Sequence, residues 1–410
     1  MPYGLTKIMI MMKEKLILAI NPGSTSTKFA LYEGKDKLME KTLRHSTEEF
    51  EGFTTMTDQL PFRYRVIMNA LREEQADLKE IAAVVGRGGL VNPIESGIYE
   101  VNDLMKKHLS EGVNGEHASN LGALLADMVV KELPGAKAYI VDPVVVDELE
   151  PIARLSGHPL ISRRSIFHAL NQKAVARVYA SSIGREYEDL NLIVAHMGGG
   201  ISVGAHRRGR VIDVNNALNG DGPYSPERSG GLPAWQLSEL CFSGKYKPSE
   251  MKSMLAGKGG IVAYLGTNSF QDASKRATEG DTHAALVVEG CSYQTAKEIG
   301  AMSAVLEGKI DCIILTGGLA YDSAHVERVT RMVKHIAPVY VYPGEDELKA
   351  LAFNGYLAIT GHIIVKEYRG KKTALGIANC EGFAKAEVRV AITWWRLITE
   401  QTWLPEGSSR

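Results

Sequence analysis

Ala19 to Leu31 reads AINPGSTSTKFAL. The apolar residues Leu16, Ile17, Leu18 and Ile20 form a strand that runs into Asn-Pro-Gly-Ser-Thr-Ser-Thr-Lys, and a second apolar run follows. Gly23 permits a tight turn and close backbone approach, and successive N–H groups in such a turn form an anion-binding nest. Ser24, Thr25, Ser26 and Thr27 add hydroxyl donors, and Lys28 adds a point charge. Asn21 can hold a hydrated Mg²⁺ through its amide oxygen or an intervening water. The turn suits a polyphosphate; an ordinary hairpin loop of Ser, Thr and Gly is the plainer alternative.

The same grammar recurs along the chain. IAAVV (81–85) runs into Gly86-Arg87-Gly88-Gly89, and LIVA (192–195) into His196-Met197-Gly198-Gly199-Gly200. CIIL (312–315) runs into Thr316-Gly317-Gly318, and VYVY (339–342) into Pro343-Gly344-Glu345. Helical patterns alternate with these runs, as in Asn120–Leu133, whose apolar face is stopped by Pro134-Gly135 before a strand at Ala138–Val141 ends in Asp142-Pro143. Alternation of this kind marks an α/β protein, in which ligands bind beyond the carboxyl ends of the strands. A shift of 175 residues lays AINPGSTSTKFALYEGK on VAHMGGGISVGAHRRGR without a gap, matching Gly23 to Gly198, Ala30 to Ala205 and Gly34 to Gly209. Three identities alone favour coincidence between two hairpins, but their fit to a two-lobed chain tips the balance to duplication.

Length and composition bound the answer. A chain of 410 residues is too long for one small core, so two domains are expected. With 47 basic against 48 acidic residues, bulk charge gives no reason to expect nucleic acid or an anionic membrane surface. Four scattered cysteines without a Cys-x-x-Cys pair fit a reducing cytoplasm and argue against a zinc site. No apolar stretch is long enough to span a bilayer, and Lys13, Glu14 and Lys15 stand where a signal-peptide cleavage site would be needed. Two phosphate motifs are excluded: there is no Gly-x₄-Gly-Lys-[Ser/Thr], and GGGISVG has Val203 where a dinucleotide fingerprint needs its third glycine.

INPGSTSTK, GRGGLVNPI, NGEHASNLGA, VDPVVVDELEP, SIFHALNQKAVAR, AHMGGGIS, VIDVNNALNGDGP, PERSGGLP, TGGLA and VYPGEDE occur in this order. Together they resemble the acetate kinase family of the actin/Hsp70/sugar-kinase superfamily, and within it the butyrate kinase branch, from about Lys15 to Tyr368. The resemblance implies a two-lobed actin-like ATPase fold of duplicated ribonuclease-H-like domains, with the active site in the interdomain cleft. The N-terminal lobe would span 14–146, completed by about 346–368, and the C-terminal lobe 147–345. Residues 370–410 have no counterpart in the family pattern and are set aside as an extra tail. The implied reaction is reversible phosphoryl transfer from ATP to butyrate, giving butyryl phosphate and ADP, with Mg²⁺ as cofactor. A homodimer or higher homo-oligomer is implied, with no nucleic-acid or membrane partner.

The resemblance also assigns residues. Nucleotide phosphates fall to Asn21, Ser24, Ser26 and Lys28 in the first segment and His196, Gly198 and Gly200 in the second; the adenosine segment carries Gly317 and Gly318. Substrate contacts fall to Arg87, Gly89, His117 and Phe167, and Mg²⁺ to Asn21 and Glu347. Catalysis falls to Arg87, Asp142, His168 and Arg228. Each of these has a physical rationale beside an ordinary one. Arg87 and Arg228 are guanidiniums on glycine-flanked loops, suited to bidentate carboxylate or phosphoryl contacts, where most arginines serve surface ion pairs. Asp142 can orient the carboxylate or bind Mg²⁺ through water, where an Asp-Pro is commonly a turn. His168 can donate to the transferring phosphoryl, where a lone helical histidine is usually structural. Acetate kinases follow the arginine matching Arg87 with two bulky residues, the second lining the methyl pocket. Here Gly88 and Gly89 follow, so Gly89 is expected to open room for a longer acyl chain, unless it serves only the backbone. The rival readings are a kinase for acetate, propionate or a branched acid, and a nucleotide-gated protein without kinase activity.

Overall fold

The computed structural model describes residues 15–46 and 48–370. In the first half, β1 (Leu16–Pro22), β2 (Ser26–Glu33) and β3 (Asp36–Arg44) form an antiparallel meander. Helix α1 (Leu60–Glu73) leads to β4 (Ile81–Arg87), then come β5 (Ile98–Glu100), α2 (Asp103–Ser110), α3 (Asn120–Val130) and β6 (Lys137–Val141). The second half holds α4 (Ala169–Ser182), β7 (Asn191–Met197), β8 (Ile201–Arg207) and β9 (Arg210–Val214). Four shorter helices follow: α5 (Ala234–Phe242), α6 (Pro248–Leu255), α7 (Ile261–Leu265) and α8 (Phe270–Thr278). Then come α9 (Thr282–Val305), β10 (Cys312–Gly317), α10 (Ser323–Val333) and β11 (Val339–Pro343), before α11 (Glu347–Ile359) and β12 (Lys366–Glu367) return to the first sheet.

The sheets run β12-β5-β6-β4-β1-β2-β3 and β11-β10-β7-β8-β9. Their cores share one topology: β1 is antiparallel to β2 and parallel to β4, as β7 is antiparallel to β8 and parallel to β10. A shift of 175 residues carries β1 onto β7 residue for residue. The repeat in the sequence is therefore a repeat of architecture.

Strand β1 shows why the apolar runs are nearly continuous. Leu18 and Ile20 point into a core with Leu121, Leu125 and Val129 of α3, whereas Ile17 and Ala19 point into a core with Leu348 and Leu351 of α11. Helices cover both faces, so both sets of alternating side chains are apolar. In the second sheet Val194 packs with Ala176 and Tyr179 of α4, while Ile193 and Ala195 pack with Ile299 and Met302 of α9. Because the first strands end in glycine turns rather than in more apolar residues, β1, β4, β7 and β10 deliver Asn21, Arg87, His196 and Gly317 at their carboxyl ends. Among the described residues no helix is long and apolar enough to cross a membrane.

Candidate active site

The two glycine hairpins form as turns with few hydrogen bonds of their own. In the first, Gly23 N–H donates to Ser26 O at 2.9 Å; in the second, Gly198 N–H donates to Gly200 O at 3.0 Å. Ser24 and Thr25 are exposed at the first turn. Lys28 pairs with Glu40 across the sheet at 3.3 Å. At the end of β10, Gly317 has φ +89° and exchanges backbone hydrogen bonds with Gly344, and a Cβ there would stand 2.5 Å from Met197 O. This close approach sets the β10 turn directly against the β7 turn. A Cβ on Gly318 would meet nothing within 4 Å, which leaves open space beside the β10 turn.

Arg87, His117, Phe167, His168, Gly200 and Arg228 line one cavity of about 220 Å³. Its remaining wall is apolar, made by Leu90, Val144, Ile166, Ala217 and Leu218. The Arg87 guanidinium stands 3.1 Å from Glu347 Oε1 and donates to Asn21 Oδ1 at 3.4 Å, while Asn21 Nδ2 donates to Glu347 Oε2. Arg228 is held by the carbonyls of Leu218 and Glu227 at 3.1 Å each, which leaves part of its donor fork free. His117 Nδ1 accepts from the Ser119 N–H at 3.2 Å, so its Nε2 carries the proton in the neutral ring. His168 caps the start of α4 and stacks on His196 with ring centroids 3.8 Å apart.

The electrostatics follow from this crowding. Burial, then the charges of Arg87 and Arg228, push His168 down to about 3. Burial, then His168 and Arg87, hold His196 well below the usual histidine range. Both rings are therefore neutral donors or acceptors at working pH. Glu345, whose Oε2 lies 3.5 Å from His196 Nε2, is pushed up to about 7 by burial and by Glu347. Half of its side-chain surface faces the open cleft, so water screens part of that effect.

Two residues that the resemblance assigned stand outside the lining of this cavity. Asp142 does not line the cavity. Its Oδ1 accepts from Ser96 Oγ at 2.6 Å and Gly97 N–H at 2.8 Å, and its nearest cation is Arg177 at 3.5 Å. At φ +36° it is a turn residue that ties β6 to the start of β5. Gly89 does not open the acyl pocket either: a Cβ on it would stand 2.5 Å from Asn120 Cα and 2.8 Å from Leu109 Cδ2. Nor does it have a positive φ; the glycine is there because the loop lies against α3. The 370–410 tail lies, apart from Gly370, outside the described residues.

The structure also brings in residues that no motif singled out. Arg63 of α1 is fully buried behind the first hairpin, where it donates to Ser24 O at 3.0 Å and Ser26 O at 2.6 Å. Among the described residues it has no carboxylate partner, and burial holds it down to about 10. Nothing in its local sequence marks it, because the turn it supports is 37 residues away.

For Mg²⁺ the residues fit. No three His, Cys, Asp or Glu side chains converge among the described residues. Mg²⁺ on a nucleotide ordinarily needs only one or two carboxylates beside phosphates and water. Glu347, with Asn21 at its side and Glu345 raised by the same crowding, is such a donor set.

The profile of the acetokinase family matches residues 151–348. The chain is 53% identical over 358 residues to butyrate kinase 2 of Clostridium acetobutylicum, covering 87% of this chain and all of that protein. It is 54% identical over 353 residues to butyrate kinase 1 of the same organism, covering 86% of this chain and 99% of that one. Acetate kinase of Porphyromonas gingivalis superposes with a TM-score of 0.72 at 19% identity, over 84% of this chain and all of that one, which shows the fold. Two like sheets around a cleft, glycine hairpins at their strand ends and half-identity to these relatives over most of the chain lead to one assignment: the chain belongs to the acetokinase family and has its actin-like ATPase fold.

Proposed function

We propose that the protein transfers the γ-phosphoryl of ATP to butyrate, reversibly, giving butyryl phosphate and ADP. One observation carries this reading: two guanidiniums and two histidines converge on a cavity whose other walls are apolar. Arg87 holds the carboxylate, and Leu90, Val144, Ile166 and Leu218 receive the alkyl chain. The nucleotide phosphates lie between the hairpin at Asn21–Lys28 and that at His196–Gly200, with the adenosine toward Gly317 and Gly318. A carboxylate oxygen forms the new bond to phosphorus as the bond to the bridging oxygen of ADP breaks and its electron pair leaves with ADP. Arg228 and His168 Nε2 face the charge that spreads over the phosphoryl oxygens. Glu347 and Asn21 would hold Mg²⁺, which would supply further neutralisation of those phosphates. The acceptor is already ionised at neutral pH, so no general base is required.

We place the protein in the cytoplasm, in keeping with Cys241, Cys291 and Cys312, which form no disulfide among the described residues. Exposed Leu160, Trp235 and Phe242 support self-association as a dimer or larger homo-oligomer. The test is incubation with Mg-ATP and acids from acetate to valerate, isobutyrate included, with hydroxylamine trapping of acyl phosphate. Butyrate should show the highest kcat/KM. A preference for acetate would overturn the butyrate reading, and no trapped product with any acid would overturn the kinase reading.

A further inference from the structure

Behind His168 lies a chain of buried polar side chains that reaches away from the cavity into the second sheet. Gln172, Ser202 and His206 are fully buried and Tyr187 is 2% exposed. Their donors and acceptors can be assigned from one fixed point. Gln172 Nε2 lies 3.0 Å from the backbone carbonyl of Ser202, which can only accept, so the amide nitrogen faces that side and Oε1 faces the other. The same Nε2 donates its second hydrogen to Ser202 Oγ at 2.8 Å. The Ser202 hydroxyl hydrogen is then left for the ring nitrogen 2.8 Å away, His168 Nδ1. On the other side, Gln172 Oε1 must accept from His206 Nε2–H at 2.9 Å. In neutral His206 the bare Nδ1 accepts from the Tyr187 hydroxyl at 2.6 Å.

We propose that this relay, Tyr187 to His206 to Gln172 to Ser202 to His168, is a positioning device that holds His168 as the neutral Nε2–H tautomer with its N–H aimed into the cavity. Each member donates in the same direction, so none can reverse without leaving a buried donor or acceptor unpaired. The tautomer of a histidine is set by the partner of its other nitrogen, and here that partner is a donor. Stacking on His196 at 3.8 Å reinforces the neutral state, because two imidazolium rings at that distance repel. Fixing the proton on Nε2 gives the site a hydrogen-bond donor that needs no reorganisation when charge develops on the phosphoryl group. Ser202 and Gln172 act through His168, and His206 and Tyr187 act through Gln172.

This rests on the reading of His168 as a phosphoryl donor, but the central measurement does not depend on activity. Long-range ¹H–¹⁵N correlation on uniformly labelled, ligand-free protein reports which nitrogen of each ring is protonated, and His168→Gln identifies the His168 signals by their loss. The proposal expects Nε2–H with bare Nδ1 for both His168 and His206 at pH 7. Nδ1–H or a rapidly exchanging mixture at His168 in the parent protein overturns it, and that outcome requires no folded variant. In Ser202→Ala the His168 ring should become a tautomer mixture, with kcat falling about tenfold or more, short of the roughly hundredfold expected on losing a donor outright. KM for ATP should stay within about twofold, because Ser202 acts only through His168, whose donation strengthens as charge develops in transfer. A folded Ser202→Ala enzyme with parent kcat and an unchanged ring signal also overturns the proposal. Failure of the kinase reading would show separately, as absence of acyl phosphate in the parent.

Discussion

A methyl group added to Gly89 would stand 2.5 Å from Asn120 Cα, in the seam between the β4 loop and α3 rather than in the cavity. Gly89→Ala should therefore destabilise the fold by about 1–3 kcal/mol, as overpacking does, and leave the butyrate-to-acetate ratio of kcat/KM unchanged. The wall that should set chain length includes Ile166: Ile166→Ala should improve longer acids over butyrate by roughly tenfold in kcat/KM, at the low end for a methylene-sized change. Steady-state kinetics and denaturant melts on both variants decide it; a selectivity shift in Gly89→Ala would return that residue to the pocket. Arg228 belongs to the same scale. Its guanidinium is anchored by two carbonyls at 3.1 Å, so Arg228→Ala removes a pre-aimed charge. We expect kcat to fall about a hundredfold or more with little change in KM for ATP. Near-parent turnover would remove Arg228 from the mechanism.

At the scale of elements, α1 and the first hairpin are joined by one buried arginine. Arg63 donates to the carbonyls of Ser24 and Ser26, the hydroxyl of Thr27 and the amide oxygen of Gln59, and no acid among the described residues neutralises it. A buried cation without a counter-ion is unfavourable unless something nearby uses its field, and a polyphosphate at the hairpin would. Arg63→Met should raise KM for ATP about tenfold, the scale of a charged hydrogen bond, while KM for butyrate stays near its parent value. Equal changes in both constants would show that Arg63 is merely structural. Strand β12 and Tyr368 make a second such seam. The Tyr368 hydroxyl meets His108 Nδ1 at 2.8 Å and accepts from Asn92 N–H at 3.1 Å, and Gly370 O accepts from Asn92 Nδ2 at 2.9 Å. Truncation after Gly370 should keep activity and melting temperature, whereas truncation after Ile363 should lower the melting temperature clearly. A large loss from the first truncation would put residues beyond Gly370 into the fold.

Across the whole molecule, histidines in the interior and at the cavity wall make stability sensitive to acid. Burial lowers His168 to about 3 and His325 to about 4, and holds His206 well below its ordinary value. Below about pH 6.5 the unfolded chain binds protons at these residues and the folded chain does not, so stability falls as pH drops. Each such histidine contributes a slope of up to about 1.4 kcal/mol per pH unit, ending near its folded pKa. Denaturant unfolding should show full stability above neutrality and a steep loss between about pH 6.5 and 4.5. A flat profile there would mean that these rings are protonated in the folded protein.

The same scale shows what could be read without a structure. Strands β1, β4, β7 and β10 were legible because both their faces are buried, which leaves an apolar run broken abruptly by glycine. The duplication was legible as a shift of 175 residues because a hairpin needs its turn at a fixed place. Arg87, His168 and Arg228 were legible because charged or titratable residues stood in glycine-rich or otherwise apolar settings, and the family resemblance gave them roles. What only the tertiary structure decided is where a side chain points and what it meets. Asp142 and Gly89 sit in the right motifs, yet Oδ1 of Asp142 is held by Ser96 and Gly97, and Gly89 lies against Asn120. Arg63 and the relay from Tyr187 to His168 leave no local mark, because their partners come from distant parts of the chain. Periodicity and turn chemistry are local and are written in consecutive residues; close packing and the direction of a hydrogen bond are set by whichever residues the fold brings opposite.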